Sequence, residues 1–234
     1  MAALEADQVQ VRLRAAMALG TWPDPAHLEA VVQRCAVEPD PFVRDALTWA
    51  LTRLPADLVL ARLRPELERP EPQARAQALH TLSKVGDRTV RSWITPELIA
   101  DPDDTVARTA WRAAVKLTPL PRDSTGDVTD DDGDGDAVPV DPEAEARAEA
   151  ERTELAELLG QQLGRGDREV RRALSRSLVQ LGPAATAVLR RAVGSARPEV
   201  AEHARTALLV AHDPQAAFAF DVQTAERTEG PSGG

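Results

Sequence analysis

The sequence predicts an all-α fold, a right-handed α-solenoid of about six stacked helical hairpins, and three observations predict it. One apolar pattern returns six times along the 234 residues. Its copies stand 30 to 32 residues apart except at one place, a period typical of solenoids. The composition, rich in Ala, Leu, Val and Arg with no Tyr and few Phe or Trp, supplies small and branched aliphatic side chains that suit close-packed helices better than sheets.

The six copies are VRLRAAMAL from Val11, VRDALTWAL from Val43, ARAQALHTL from Ala74, VARTAWRAA from Val106, VRRALSRSL from Val170 and VAEHARTAL from Val200. Counting each first residue as zero, apolar side chains recur at 0, +4, +8 and +11, as in Val170, Leu174, Leu178 and Leu181. At 100° per residue these positions form one stripe, so each copy is an amphipathic helix. Position +7 is always small (Ala18, Ala50, Thr81, Ala113, Ser177, Ala207), which lets a neighbouring helix approach closely. Turn residues follow: Gly20 with Pro23, Pro55, Gly86-Asp87, Gly182-Pro183 and Asp213-Pro214. A second helical stretch comes next, such as HLEAVVQRC from His27 or LVLARLRPEL from Leu58, and Trp93 with Ile94 falls in another. One such hairpin cannot bury its own apolar face, so the hairpins must stack.

Only Val106 to Val170 breaks step, at 64 residues, and an acidic segment fills the gap. Residues 1–118 then hold repeats 1–3 and the first helix of repeat 4, and 119–141 form an acidic disordered insertion. Residues 142–226 hold the second helix of repeat 4 and repeats 5–6, and 227–234 form a disordered tail. Pro142 to Leu163 reads as one long helix, with Glu143 and Arg147 at i,i+4 spacing.

Asp40 precedes Val43-Arg44 and Asp167 precedes Val170-Arg171, while Val11-Arg12 and Ala74-Arg75 keep the Arg. With these residues the units resemble HEAT repeats, over roughly residues 7 to 226 outside the insertion. Ala107 and Ala201 replace the Arg, so no continuous Arg ladder is expected. More narrowly, DPFVRDALTWALTRLP, PQARAQALHTLSKVGD and DDTVARTAWRAAVKL resemble the HEAT-repeat part of MerR-type regulators of high-GC bacteria. There a winged-helix DNA reader precedes the repeats, and the resemblance implies a link to transcription regulation. This sequence enters its first repeat almost at once, so the DNA reader is not expected.

Charge narrows the partners. The chain carries −10, of which Pro119 to Arg152 accounts for −9. A near-neutral body argues against nucleic acid bound by phosphate neutralisation and favours basic partners for the acidic segment. The lone Cys35 excludes an intrachain disulfide and points to a reducing compartment. The N-terminus lacks a secretory signal pattern, and no apolar run is long enough to cross a membrane, so a cytoplasmic protein without a membrane partner is expected.

Candidate sites are few. Asp130, Asp132, Asp134 and Gly135 match a calcium loop with Asp141 at its twelfth position, hard oxygens that could wrap the cation. The shorter Asp141, the missing incoming helix and the good N-cap that Asp141 makes before Pro142 favour an acidic linker instead, so no cofactor is expected. His27, His80, His203 and His212 are scattered over three repeats with no His-Glu dipeptide, so the paired metal sites of HEAT-like hydroxylases have no counterpart. Trp49, at +6, points away from the stripe and is the candidate partner contact. Trp49, Trp93 and Trp111 with nearby Arg also raise an enzyme alternative, a HEAT-like DNA-binding or DNA-repair glycosylase. The reading that follows is a non-enzymatic scaffold or adaptor that holds another protein or a peptide on the concave surface of its second helices. In a third reading the insertion is an electrostatic gate over that surface.

Overall fold

Three helices open in the same way because Asp stands three residues ahead of the stripe. Asp40 Oδ1 accepts from the N–H of Phe42 and Val43 at 2.9 and 3.1 Å, and Asp103 Oδ1 from Thr105 and Val106 at 2.8 and 3.1 Å. Asp167 Oδ1 accepts from Val170 N–H at 2.9 Å. Each carboxylate satisfies donors that a helix start leaves unpaired. The computed structural model describes residues 2–121 and 141–212, and among them every regular element is a helix. The chain divides into two units, Met1–Leu117 and Thr118–Gly234.

The first unit holds α1 (Val9–Thr21), α2 (Leu28–Val37), α3 (Pro41–Thr52), α4 (Ala56–Leu63), α5 (Pro72–Val85), α6 (Pro96–Ile99) and α7 (Asp104–Leu117). Short 3-10 segments lie at Ala2–Glu5, Pro25–His27, Arg64–Glu68 and Arg88–Trp93. The stripe helices α1, α3, α5 and α7 pack side by side. The second elements cover them from the other layer: α2 lies on α3 and α5, α4 and Arg64–Glu68 on α5, and α6 on α7. Each second element therefore packs chiefly on the stripe helix that follows it. In the second unit, α8 (Pro142–Gly160) packs on α9 (Arg168–Val179) and α10 (Pro183–Ala192), while α11 (Pro198–His212) packs on α9 and α10.

The stripe forms the core of both units. Val43, Leu47 and Leu51 have no exposed surface, and neither do Val106, Ala110 and Ala114; Leu174, Leu178 and Leu181 are equally buried. Each such Leu contributes roughly 1.5–3 kcal/mol by leaving water. The small +7 residues are buried in five copies and exposed at Ala18.

Polar seams run between the repeats. Arg12 is buried, with Nε and Nη2 each donating at 2.8 Å to Glu38, and Nη1 donating to the carbonyls of Ala6 and Asp7. Arg75 repeats the arrangement with Asp101 at 2.9 and 3.1 Å and with the carbonyls of Arg69 and Pro70. Both acids stand 26 residues beyond their Arg. At that offset from Arg44 stands Pro70, and Arg44 donates to the carbonyls of Glu38 and Pro39. Ala107, where the Arg is lost, is fully buried. Burial alone would raise the Glu38 carboxyl, but Arg12, the Asp40 N–H and Arg34 outweigh it and hold it at about 2.

Four expectations need correction. Gly20 is no turn residue: it lies inside α1, where an added Cβ would meet the Trp49 ring at 2.1 Å. Trp93 and Ile94 belong to no regular second helix, because Thr95 precedes Pro96 and cannot readily be helical, leaving a 3-10 segment and the single turn of α6. The long helix ends at Gly160 rather than Leu163, and the chain then turns through Gly164 at φ 84°. Arg147 donates through Nε to the Glu143 carbonyl, not its carboxylate.

Candidate functional site

The stripe of α1 is the most open of the six, with no buried member, whereas in α11 Ala204 is buried and Val200, Leu208 and Ala211 are half-buried. The +11 residue of α1, Trp22, is 74 % exposed, and Val11, Ala15 and Leu19 are only half-buried. The reason lies one element upstream. Where the other stripe helices are covered by longer second elements, α1 meets the single turn Ala2–Glu5, of which only Leu4 is buried. The result is an open groove of about 320 Å³ lined by Leu4, Ala15, Ala18, Leu19, Trp22 and His27. Its floor is aliphatic and its only titratable lining group is the His27 imidazole. Such a surface binds apolar side chains; it offers no nucleophile and no acid–base pair.

Trp49 sits on the neighbouring helix, 38 % exposed, with the benzo edge of its indole lodged against Gly20. Part of the ring is thus covered by α1, and part faces outward. The other tryptophans are committed to packing. Trp111 is fully buried and donates Nε1–H to the Ile99 carbonyl at 2.9 Å, fastening α6 to α7. Trp93 lies under the Arg64 guanidinium, 5.2 Å from the ring centroid. The structure therefore does not bring the three tryptophans together around one pocket.

The second-element face of the first unit is already paired with itself. Arg62 bridges Glu29 on α2 and Glu66 at 2.8 Å, and Gln33 donates to Glu29 at 2.6 Å. Cys35 lies beneath, beside a void of about 10 Å³, and burial pushes its thiol up to about 12, which removes it as a nucleophile.

His203 is buried on α11 between the two layers of the second unit. Its Nδ1 accepts from Gly164 N–H at 3.0 Å, so Nε2 carries the proton and donates to the Arg171 carbonyl at 2.9 Å, with Ser175 Oγ at 3.1 Å. Burial lowers its pKa, chiefly by penalising the imidazolium. The Gln77–Thr48 hydrogen bond, 2.7 Å, occupies the same two offsets (+3 to +5) in the first unit. These polar pairs fix the register of adjacent stripe helices.

Asp141 caps α8, accepting from Glu143 N–H at 3.0 Å. Asp130, Asp132 and Asp134 lie outside the described residues. Among the described residues no three of His, Cys, Asp and Glu are grouped so as to hold a metal ion, and no helix is long and apolar enough to cross a membrane.

Residues 1–67 match the family of HEAT repeats. The match spans α1 to α4 and so includes the groove, Trp22 and Trp49. None of the curated proteins matches the sequence. Among solved structures, an engineered protein is 16 % identical, with 90 % of this chain and 94 % of that chain covered and a TM-score of 0.42. Human deoxyhypusine hydroxylase in complex with glycerol is 22 % identical, with 86 % of this chain and 79 % of that chain covered and a TM-score of 0.40.

The groove was not singled out in the sequence, although Trp22 was in the pattern. The signal was present: residues 1–10 hold no second helical stretch like those ahead of the later copies.

Proposed function

We propose that this chain is a non-enzymatic protein-interaction scaffold, and that its groove on α1 receives an amphipathic helix of another protein. One observation carries the reading. The same stripe that α2 covers on α3 stands open on α1, with a tryptophan 74 % exposed at its end. Exposed apolar surface of this kind marks interaction sites, and the repeat itself states which element covers it: a helix with a small-aliphatic face. The second-element layer, with Arg62, Glu29 and Glu66 paired among themselves, is the weaker docking surface. A cytoplasmic adaptor in transcription regulation is the setting that the MerR-type resemblance suggests.

The test uses the covering helix as its own probe. A stapled peptide of residues 25–38 with Cys35→Ala is titrated into the full chain while the Trp22 indole signal is followed by NMR. Saturable shifts, lost in Leu19→Glu, support the reading. An unmoved Trp22 signal at millimolar peptide sinks it.

A further inference from the structure

A second surface of the first unit points elsewhere. Three adjacent stripe helices place Trp49, His80 and Arg112 at offset +6, and Arg53, Lys84 and Lys116 at offset +10. On side-by-side helices equal offsets align, so these form two rows running across α3, α5 and α7. The four cations are exposed, and among the described residues no carboxylate pairs with them. His80 lies in their midst: the charges of Lys84, Arg112 and Lys116 all reach it, as does Asp45, whose Oδ1 stands 3.9 Å from Nε2. At the α3 end the rows finish on the part-exposed Trp49, with Met17 of α1, 47 % exposed, at the same offset beyond it.

Lysines in the last turn of α5 and α7 complement the helix dipoles. The dipole does not explain Arg112, which stands in mid-helix, nor an aromatic residue in the same row.

We propose that this face binds an extended acidic segment of a partner protein, with carboxylates at every third residue and an apolar side chain at the end that meets Trp49. The spacing follows from geometry. Neighbouring helix axes stand roughly 8–10 Å apart, and in an extended polyproline-II chain every third side chain returns to the same face after about 9 Å, at roughly 3.1 Å per residue. A segment crossing the helices thus presents one carboxylate per repeat. A long polyanion such as nucleic acid would meet the field of a chain of net charge −10, whereas a short segment meets only this row within a screening length.

The experiment is fluorescence anisotropy on the full chain with two labelled peptides of one composition. One carries Leu followed by Glu at every third position among Ser residues; the other has its three Glu adjacent. The spaced peptide should bind about tenfold more tightly than the clustered one, and Lys84→Glu with Arg112→Glu should cost about another tenfold, as for loss of directly facing charges. Circular-dichroism melting should shift that double variant only slightly, since both side chains are exposed and only Lys84 loses a favourable place at a helix end. Leu19→Glu should bind the spaced peptide like the wild type, so failure of the groove and failure of this face read out separately. Equal affinity for the two peptides, or indifference to the charge reversal, overturns the proposal. So does an oligodeoxythymidine that displaces the peptide and binds more tightly, which would make the face a nucleic-acid surface.

Discussion

Helices α1 and α7 carry the same four-point stripe and have opposite fates. In α7, Val106, Ala110, Ala114 and Leu117 are at most 1 % exposed. In α1, Val11, Ala15 and Leu19 are half-buried and Trp22 is 74 % exposed. Their own sequences do not account for the difference. Ahead of α7 stand the segment Arg88–Trp93 and α6, and beside it lies α5; ahead of α1 stands one 3-10 turn. An amphipathic stripe specifies an interface, and only a neighbouring element turns that interface into core.

The comparison can be broken first at Glu38, the hub where α1, α2 and α3 meet. Glu38→Ala leaves the buried Arg12 and the half-buried Arg34 without their acid and should destabilise the chain by about 3–5 kcal/mol, read by urea unfolding. The same carboxylate makes stability acid-sensitive. Its folded pKa lies below the ordinary 4.5, so its contribution is whole above pH 4.5 and is lost as pH falls towards about 2.

Next comes the stripe itself. Leu47→Ala in α3 should cost about 2–5 kcal/mol because the site is sealed. Leu19→Ala in α1, at an open position, should cost roughly 1 kcal/mol or less. Equal losses for the two would refute the picture of an unfilled interface. Gly20→Ala falls between: its methyl would collide with the Trp49 ring and should cost about 1–3 kcal/mol while raising the solvent accessibility of that indole, seen as greater quenching by acrylamide.

A smaller effect belongs to the second unit. The folded pKa of His203 lies below 6.5, so the unfolded chain takes up the proton first and stability declines as pH drops through and below 6.5. Protonation would also set an Nδ1–H against Gly164 N–H. His80 shifts in the same direction through burial, so the share of His203 is isolated by His203→Gln, whose denaturation midpoint should move less between pH 7.5 and 5.5 than that of the wild type. The smallest change is Trp22→Ser, which should alter stability by no more than about 0.5 kcal/mol yet abolish binding of the helical peptide. A large loss of stability there would mean the groove is core after all.

Much of the fold was legible beforehand. The offsets 0, +4, +8 and +11 located all six stripe helices, and Asp40 and Asp167 marked two helix starts through the resemblance to HEAT repeats, the structure showing the capping behind it. Asp103 obeys the same rule. Trp111 could not be placed from its offset, because a residue at the flank of a stripe is buried or exposed according to how far the next helix overlaps it. Arg12 and Arg75 could be aligned by sequence, but their acids 26 residues away are joined to them only by the stack.

The sequence by itself determined the helices, their period and which face of each is apolar, since these follow from side-chain order within one or two turns. Tertiary structure alone decided which second element lies on which stripe, that Gly20 receives Trp49, that His203 is held neutral between Gly164 and Arg171, and that the stripe of α1 stays open. Those outcomes depend on distances between residues that the chain separates by 20 to 40 positions, and packing sets such distances where local preference cannot.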